Sequence, residues 1–253
     1  MADMMIPFWV APAVASRRNF RERIKPLTEL NDMTLYKRYR FTFYDIAGFP
    51  GVVGCIDCTH VRIQATKDEE NDFVNRKGFH SLNVQAVCDH RGRFINICAN
   101  WPGSSHNSFI LRHSQLCHNF ESGVNAGILL GGRGYPNRRW ILTPYANPAT
   151  ESQRRFNAAH IKTRVLIERC FGRRQKRRFA LLHGEIRKTP EVACREIAAC
   201  AILHNIAVGQ NLPDLPEWNY DDNDDVPGHQ YAGADDIHAG RDRRAAITNN
   251  YFA

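Results

Sequence analysis

The order of secondary-structure patterns in the centre of the chain is the feature that most restricts its fold. Three strand patterns come first, followed by a helix, two short strands and two long helices. The second and third strands meet at residues 89–92, a turn of hairpin type in which Gly92 allows the tight reversal. The predicted strands are 51–63, 81–88, 93–100, 127–130 and 140–143, and the predicted helices are 108–120, 150–179 and 190–206.

This order is that of an RNase H-like domain. The middle hairpin is then antiparallel, and the later strands run parallel to the first. The long helix opens at Thr150, with Gln153 three residues later, which is the spacing of a capping box. We therefore predict an α/β fold with a mixed sheet flanked by helices.

Composition places the chain among globular proteins. Hydrophobic residues make up 43% and charged residues 24%, which excludes wholesale disorder and a fibrous rod. No stretch approaches the ~20 apolar residues of a membrane span, and the leader carries Asp3 without Lys or Arg, so we predict neither a membrane segment nor a secretion signal. The eight cysteines are dispersed among apolar residues and are predicted to be buried thiols, since no second pair follows Cys55 and Cys58 at zinc-site spacing.

Charge is divided unevenly along the chain, whose net charge is +8. Residues 212–253 contain nine acidic residues and three arginines, which give a net charge of −6. Residues 1–211 therefore carry a net charge of +14. A body this basic attracts polyanions, nucleic acid first among them, although charge alone also fits a basic surface without a ligand. Residues 212–253 are read as a flexible acidic tail.

Two carboxylates stand in apolar surroundings. Asp57 interrupts the first predicted strand, and an acid there is costly unless it is paired or binds a metal. Glu168 shares a largely apolar helix face with Val165 and Phe171. It is either a metal ligand or the partner of a nearby arginine, such as Arg164 or Arg169. Carboxylates that converge from separate elements are what phosphodiester chemistry by divalent ions needs.

Several motifs, in order from about residue 43 to 212, carry a resemblance to a known family. Gly54–His60, Asn75–Ser81, Trp101–Ser104, Leu142–Tyr145, Ile167–Gly172 and Leu203–Ile206 resemble the PIF/Harbinger DDE transposases and the nucleases derived from them. The resemblance implies an RNase H-like core, a divalent metal (Mg²⁺ or Mn²⁺), DNA as substrate and a location in the nucleus, with presence in the cytoplasm also open.

The resemblance also assigns site residues. Asp57 matches the first catalytic Asp and Glu168 the catalytic Glu, both of them metal ligands in the family. The second Asp falls on Gly132, because the flanking Leu129–Gly131 and Gly134–Tyr135 keep the family frame. Neither Asp89 nor Asn107, which stands where relatives often have Asp, is placed by its motif to replace it. The loss of one anionic ligand weakens metal binding by several kcal/mol, so we predict little or no nuclease activity.

Basic residues in two motifs are predicted to contact DNA phosphates. The basic residues in and after the helix of Glu168 are the stronger candidates, although a solvated helix face or a nuclear-localisation cluster would have the same composition. The basic residues of the turn before Ser81 are weaker candidates. The predicted contacts are Arg76, Lys77, Arg164, Arg169, Arg173, Arg174, Lys176 and Arg177.

The expected organisation has three parts: an N-terminal remnant at 1–48 of helical or extended structure, a DDE nuclease-like domain at 49–211 and the acidic tail. Arg38–Phe41 is followed almost at once by Phe43–Gly51, so the helix-turn-helix module that relatives carry between these motifs is missing. We predict a transposase-derived nuclease-fold protein that binds DNA with impaired catalysis. The alternatives are a protein adaptor, with the family's Myb-like partner as a candidate, and a truncated copy without a function.

Overall fold

The computed structural model describes residues 49–65, 70–172, 178–213 and 238–253. The predicted N-terminal remnant, most of the acidic stretch and the predicted phosphate contacts Arg173, Arg174, Lys176 and Arg177 lie outside these ranges.

Five strands form one mixed sheet in the order β3-β2-β1-β4-β5. Strand β1 (Val52–Arg62) pairs antiparallel with β2 (Ser81–Cys88), which pairs antiparallel with β3 (Phe94–Pro102). On the other side, β1 pairs parallel with β4 (Ile128–Gly131), and β4 pairs parallel with β5 (Ile141–Leu142). The predicted mixed α/β sheet is confirmed, and its topology is that of the RNase H-like fold.

Helices cover both faces of the sheet. On one face lie α4 (Glu151–Arg169) and α5 (Pro190–Gly209), whose Phe156, Ile167 and Ile197 are buried against the strands. On the other face lie α2 (Asn107–Arg112) and α3 (Gln115–Glu121). A single turn, α1 (Glu70–Phe73), precedes β2, and a 3₁₀ turn (Ala180–Leu182) precedes α5. Apolar residues that alternate along β1 therefore enter two different cores.

The predicted helix over 108–120 is interrupted at Ser114. Its hydroxyl donates to the carbonyl of Leu111 and accepts from the backbone N–H of Cys117, so it ends α2 and caps α3. Helix α4 begins as predicted after Thr150, whose hydroxyl accepts from the N–H of Gln153. It ends at Arg169 and is followed by a π turn at 170–172, and residues 173–177 of the predicted helix lie outside the described ranges.

Helix α5 is long and apolar enough, by length and composition alone, to cross a membrane, although it contains the charged residues Glu191, Arg195 and Glu196. The core helix of a globular domain passes the same test. Here α5 packs against β3: the thiol of Cys194 donates to the carbonyl of Ala99, and the Asn205 amide pairs with both backbone groups of Phe94.

The end of the chain differs from the predicted flexible tail. Residues His238–Tyr251 form helix α6, and its Ile247 and Thr248 are buried against the sheet side that α4 covers. The hydroxyl of Thr248 bonds with that of Tyr145, and Phe252 packs against Phe49 and Phe156. Helix α6 differs from the rest of the predicted tail in charge: eight of the nine acids precede it, whereas α6 itself has three arginines and one aspartate.

Candidate active site

Asp57 lies on the face of β1 that packs against α4. Cys55, two residues earlier, occupies the same face, and its thiol donates to the carbonyl of Thr163 in α4. Cys58 points to the opposite face, where its thiol bonds with the hydroxyl of Tyr135 at 3.1 Å. The formal Cys-x-x-Cys pair is thus divided between two faces, and all eight cysteines are free thiols, as predicted.

Helix α4 brings Arg164 and Glu168 to the same place. The two residues are one turn apart, so their side chains are neighbours on the helix surface. The guanidinium of Arg164 donates through Nη1 to Asp57 Oδ2 at 2.5 Å and through Nη2 to Glu168 Oε1. One forked cation therefore binds both carboxylates that the sequence singled out.

The Arg164 bridge is partly shielded from water. The side chains of Asp57, Arg164 and Glu168 are 19%, 23% and 39% exposed. Burial acts to lower the pKa of Arg164, but the charges of Asp57 and Glu168 outweigh it and raise that pKa above its ordinary value. Arg164 is therefore a permanent positive charge between the two acids.

Gly132 lies beside the same guanidinium. A Cβ atom built on Gly132 would lie 2.9 Å from Arg164 Nη1. A side chain at this position would consequently point at the group that already joins Asp57 and Glu168. The three positions that the resemblance assigned to carboxylates meet around one arginine, and of the two alternatives for Glu168, the structure places it with an arginine partner.

His160 anchors this part of α4 to the ends of β4 and β5. It is completely buried, and its Nε2–H donates to the carbonyl of Leu142 at 3.1 Å, while the backbone of Gly131 also interacts with the ring. Burial lowers the pKa of His160 from 6.5 to about 4. The sequence contained no signal for this role, because the contact depends on strands that follow in space rather than in sequence.

The buried imidazole makes folding sensitive to acid. The folded chain keeps His160 neutral down to about pH 4, whereas the unfolded chain protonates it near pH 6.5, so protons favour unfolding between these values. We expect His160 to account for a loss of about 2 kcal/mol of unfolding free energy between about pH 7.5 and pH 5. Urea unfolding of the wild type and of His160→Gln at both pH values measures the difference. Equal pH dependence of the two proteins would contradict the assignment.

The predicted phosphate contacts are placed differently from one another. Arg76 and Lys77 are exposed in the turn that Asn75 organises by accepting the backbone N–H of Lys77, and Arg169 is exposed at the end of α4. The guanidinium of Arg164 is bound to Asp57 and Glu168 within the site, and its contact with DNA phosphate stays a prediction.

Asn107 is brought to the loop that contains Gly132, although not to Gly132 itself. Its side chain accepts from Asn83 Nδ2 and lies against Gly134, whose Cβ would meet Asn107 Nδ2 at 3.4 Å. Asp89 has a structural role: its carboxylate binds Arg93 and closes the turn between β2 and β3. Asn107 has no carboxylate, and that of Asp89 is engaged by Arg93.

Comparison with known proteins decides the family. The family model described as DDE superfamily endonuclease matches residues 56–205, more than half of the chain. The chain belongs to the Harbinger-derived DDE endonucleases. It is 41% identical over 174 residues to the human protein named "Putative nuclease HARBI1", a match that covers 67% of this chain and 50% of that protein. No solved structure matches the chain.

Plant relatives of this DDE chain are more distant. "Protein ALP1-like" from Arabidopsis thaliana is 27% identical over 199 residues, covering 69% of this chain and 48% of that protein. The Arabidopsis protein named "Antagonist of like heterochromatin protein 1" is 27% identical over 212 residues, covering 74% and 51%. The chain spans about half the length of the curated relatives it matches.

DDE endonucleases use divalent metals, but the donor set of this chain does not fit such a centre. Among the described residues, the carboxylates at this site come from Asp57 and Glu168, and Arg164 engages both of them. Within residues 49–65, 70–172, 178–213 and 238–253, no three His, Cys, Asp or Glu side chains are grouped closely enough to hold a metal. The positive charge of Arg164 therefore lies between the two acids that would hold the metal ion in the family.

Proposed function

We propose that this DDE chain is a transposase-derived nuclease-fold protein that binds DNA in the nucleus and whose catalytic step is impaired. The observation that carries the proposal is the guanidinium of Arg164, which is shared by Asp57 and Glu168 beside Gly132. Membership of an endonuclease family supports DNA as the ligand class.

Electrostatics explains the impairment. A divalent ion is retained by the negative charge of its ligands, and a carboxylate that contacts a dication is the largest local contribution. Here two carboxylates remain, the third position has no side chain, and a monovalent cation neutralises half of the remaining negative charge. A dication would have to displace Arg164 and would then have only two anionic ligands.

DNA binding is supported by charge rather than by a recognition helix. Residues 1–211 carry a net charge of +14, and Arg76, Lys77 and Arg169 are exposed. Contacts between arginine or lysine and phosphate oxygens do not depend on base sequence. We therefore propose binding with little sequence selectivity, in accord with the absence of the helix-turn-helix motif from the sequence.

Two measurements on the wild-type chain test this function. We expect duplex DNA to bind with an affinity that falls steeply as salt rises, and supercoiled plasmid to remain intact with Mg²⁺ or Mn²⁺. Robust nicking that Asp57→Ala abolishes would show that the chain is an active nuclease and would overturn the impairment. Absence of DNA binding at low salt would overturn the other half of the proposal.

A protein adaptor is the second candidate. One relative is named as an antagonist of like heterochromatin protein 1, a name that indicates a protein interaction for that relative. Leu203 and Ile206 are about half exposed on α5, where a partner could cover them. Retention of a Myb-like partner by a chain that has no affinity for DNA would favour this function.

A further inference from the structure

Helix α6 lies outside the part of the chain that the DDE family model matches, and it is docked closely beside the loop between β4 and β5. A Cβ on its Gly240 would lie 2.6 Å from the carbonyl oxygen of Asn137, so the two backbones touch. Arg244, one turn later, donates through Nη1 to the carbonyl of Thr143 and covers the ring of Tyr145 at 4.2 Å. The first two turns of α6 and the β4–β5 loop therefore present one continuous surface.

Two exposed arginines lie on this surface. Arg139 comes from the β4–β5 loop and Arg243 from α6. The pKa of Arg243 is lowered from its ordinary value, first by partial burial and then by the charge of Arg139. Within the described residues, neither Arg139 nor Arg243 has a hydrogen bond or an acidic partner.

Two acids of the described residues, Glu121 and Asp242, are not partners of these arginines. Glu121 accepts from Arg138 Nη1 at 2.6 Å and from the indole N–H of Trp140 at 3.0 Å, so it is already engaged. Asp242 is adjacent to Arg243 in sequence, and adjacent helix residues do not face each other. Two like charges held close together by folded elements are costly unless an anion joins them.

Three buried N–H groups of the same loop and helix also lack a hydrogen-bond acceptor among the described residues. Asn137 is 3% exposed and its Nδ2 has no hydrogen-bond partner, and the Nε atoms of Arg138 and Arg244 are buried without one. All three are N–H donors. These buried donors cannot reach a ligand, but the exposed guanidinium groups of Arg139 and Arg243 can, and a positive surface of this kind is complementary to an oxyanion.

We infer that Arg139 and Arg243 bind phosphate groups of the DNA backbone, as a contact surface added to the DDE domain by α6. The inference rests on the proposed DNA binding and assigns part of it to a place. Arginine suits this ligand because its planar fork matches the oxygens of a phosphate. The contact carries no base information, so it adds affinity without selectivity.

The test compares three full-length chains by fluorescence anisotropy with a labelled duplex of about 30 base pairs, over about 0.05–0.3 M salt. They are the wild type, R139Q/R243Q and the control R154Q/R187Q. The control removes the same charge from two exposed arginines that already have acids nearby, Glu151 and Glu185. Thermal unfolding of each chain checks that all three fold.

We expect R139Q/R243Q to bind about 10- to 60-fold more weakly at about 0.1 M salt, with the slope of log affinity against log salt reduced by about 1.8, because each phosphate contact contributes about 0.9. The control should stay within about twofold of the wild type. Equal affinities of the three chains, or equal losses in both variants, overturn the inference while the proposed function stands. A wild type that binds no DNA overturns both.

Discussion

Gly132→Asp is expected to create divalent-metal-dependent nicking of plasmid DNA that the wild type lacks. The backbone permits the change, because Gly132 is not among the glycines with positive φ. The nearest obstacle to its Cβ is the flexible end of Arg164, at 2.9 Å, which can move. The new carboxylate would restore the third anionic ligand, and several kcal/mol of metal affinity corresponds to about 10²- to 10³-fold in rate.

The comparison needs a matched control and a direct measure of metal binding. Gly132→Asn has nearly the same shape without the charge and should remain inactive, as should the double variant Gly132→Asp with Asp57→Ala. Titration of Mn²⁺ followed by its electron paramagnetic resonance should show tighter binding by Gly132→Asp alone. If this variant folds, yet neither binds Mn²⁺ more tightly nor nicks DNA, the assignment of position 132 to the active site is wrong.

Arg164→Met is expected to lower the free energy of unfolding by about 3–4 kcal/mol. The change leaves Asp57 and Glu168 as two neighbouring carboxylates without their shared cation, in surroundings where less than two fifths of either side chain is exposed. Removal of one partner from a buried ion pair typically costs about 3–5 kcal/mol, and the partial exposure of Glu168 places this case toward the lower end. Urea denaturation followed by circular dichroism measures the loss.

Arg154→Met is the matched control for this prediction. Arg154 lies on the same helix and binds Glu151 at 2.9 Å, but both side chains are more than half exposed, so a loss of at most about 0.5 kcal/mol is expected. Arg164→Lys should lose an intermediate amount, since lysine keeps the charge but cannot bind two carboxylates as a planar fork. A loss in Arg164→Met no larger than in Arg154→Met would show that the bridge contributes little.

Strand and helix identity could be predicted because the signals are local. Alternating apolar residues in β1 and the turn at Gly92 depend on neighbours within a few residues, and the Thr150 cap on neighbours within one turn. The errors arose where a local signal competed with another. Ser114 divides a helix that apolar spacing alone would continue. Helix α6 was missed because it is stabilised by tertiary contacts, of Thr248 with Tyr145 and of Phe252, just after the helix, with Phe49, and its own sequence pattern is weak.

The family motifs also identified Asp57, Gly132 and Glu168, residues separated by up to 111 positions, as members of one site. The packing of α4 against β1 decides which residue forms ion pairs with both Asp57 and Glu168. The sequence left Arg164 as either a partner of Glu168 or a phosphate contact, because both roles suit an arginine one turn away on a helix. Only the tertiary structure brings Asp57 within reach of the same guanidinium, and only there do two fixed negative charges make an internal partner more favourable than solvent.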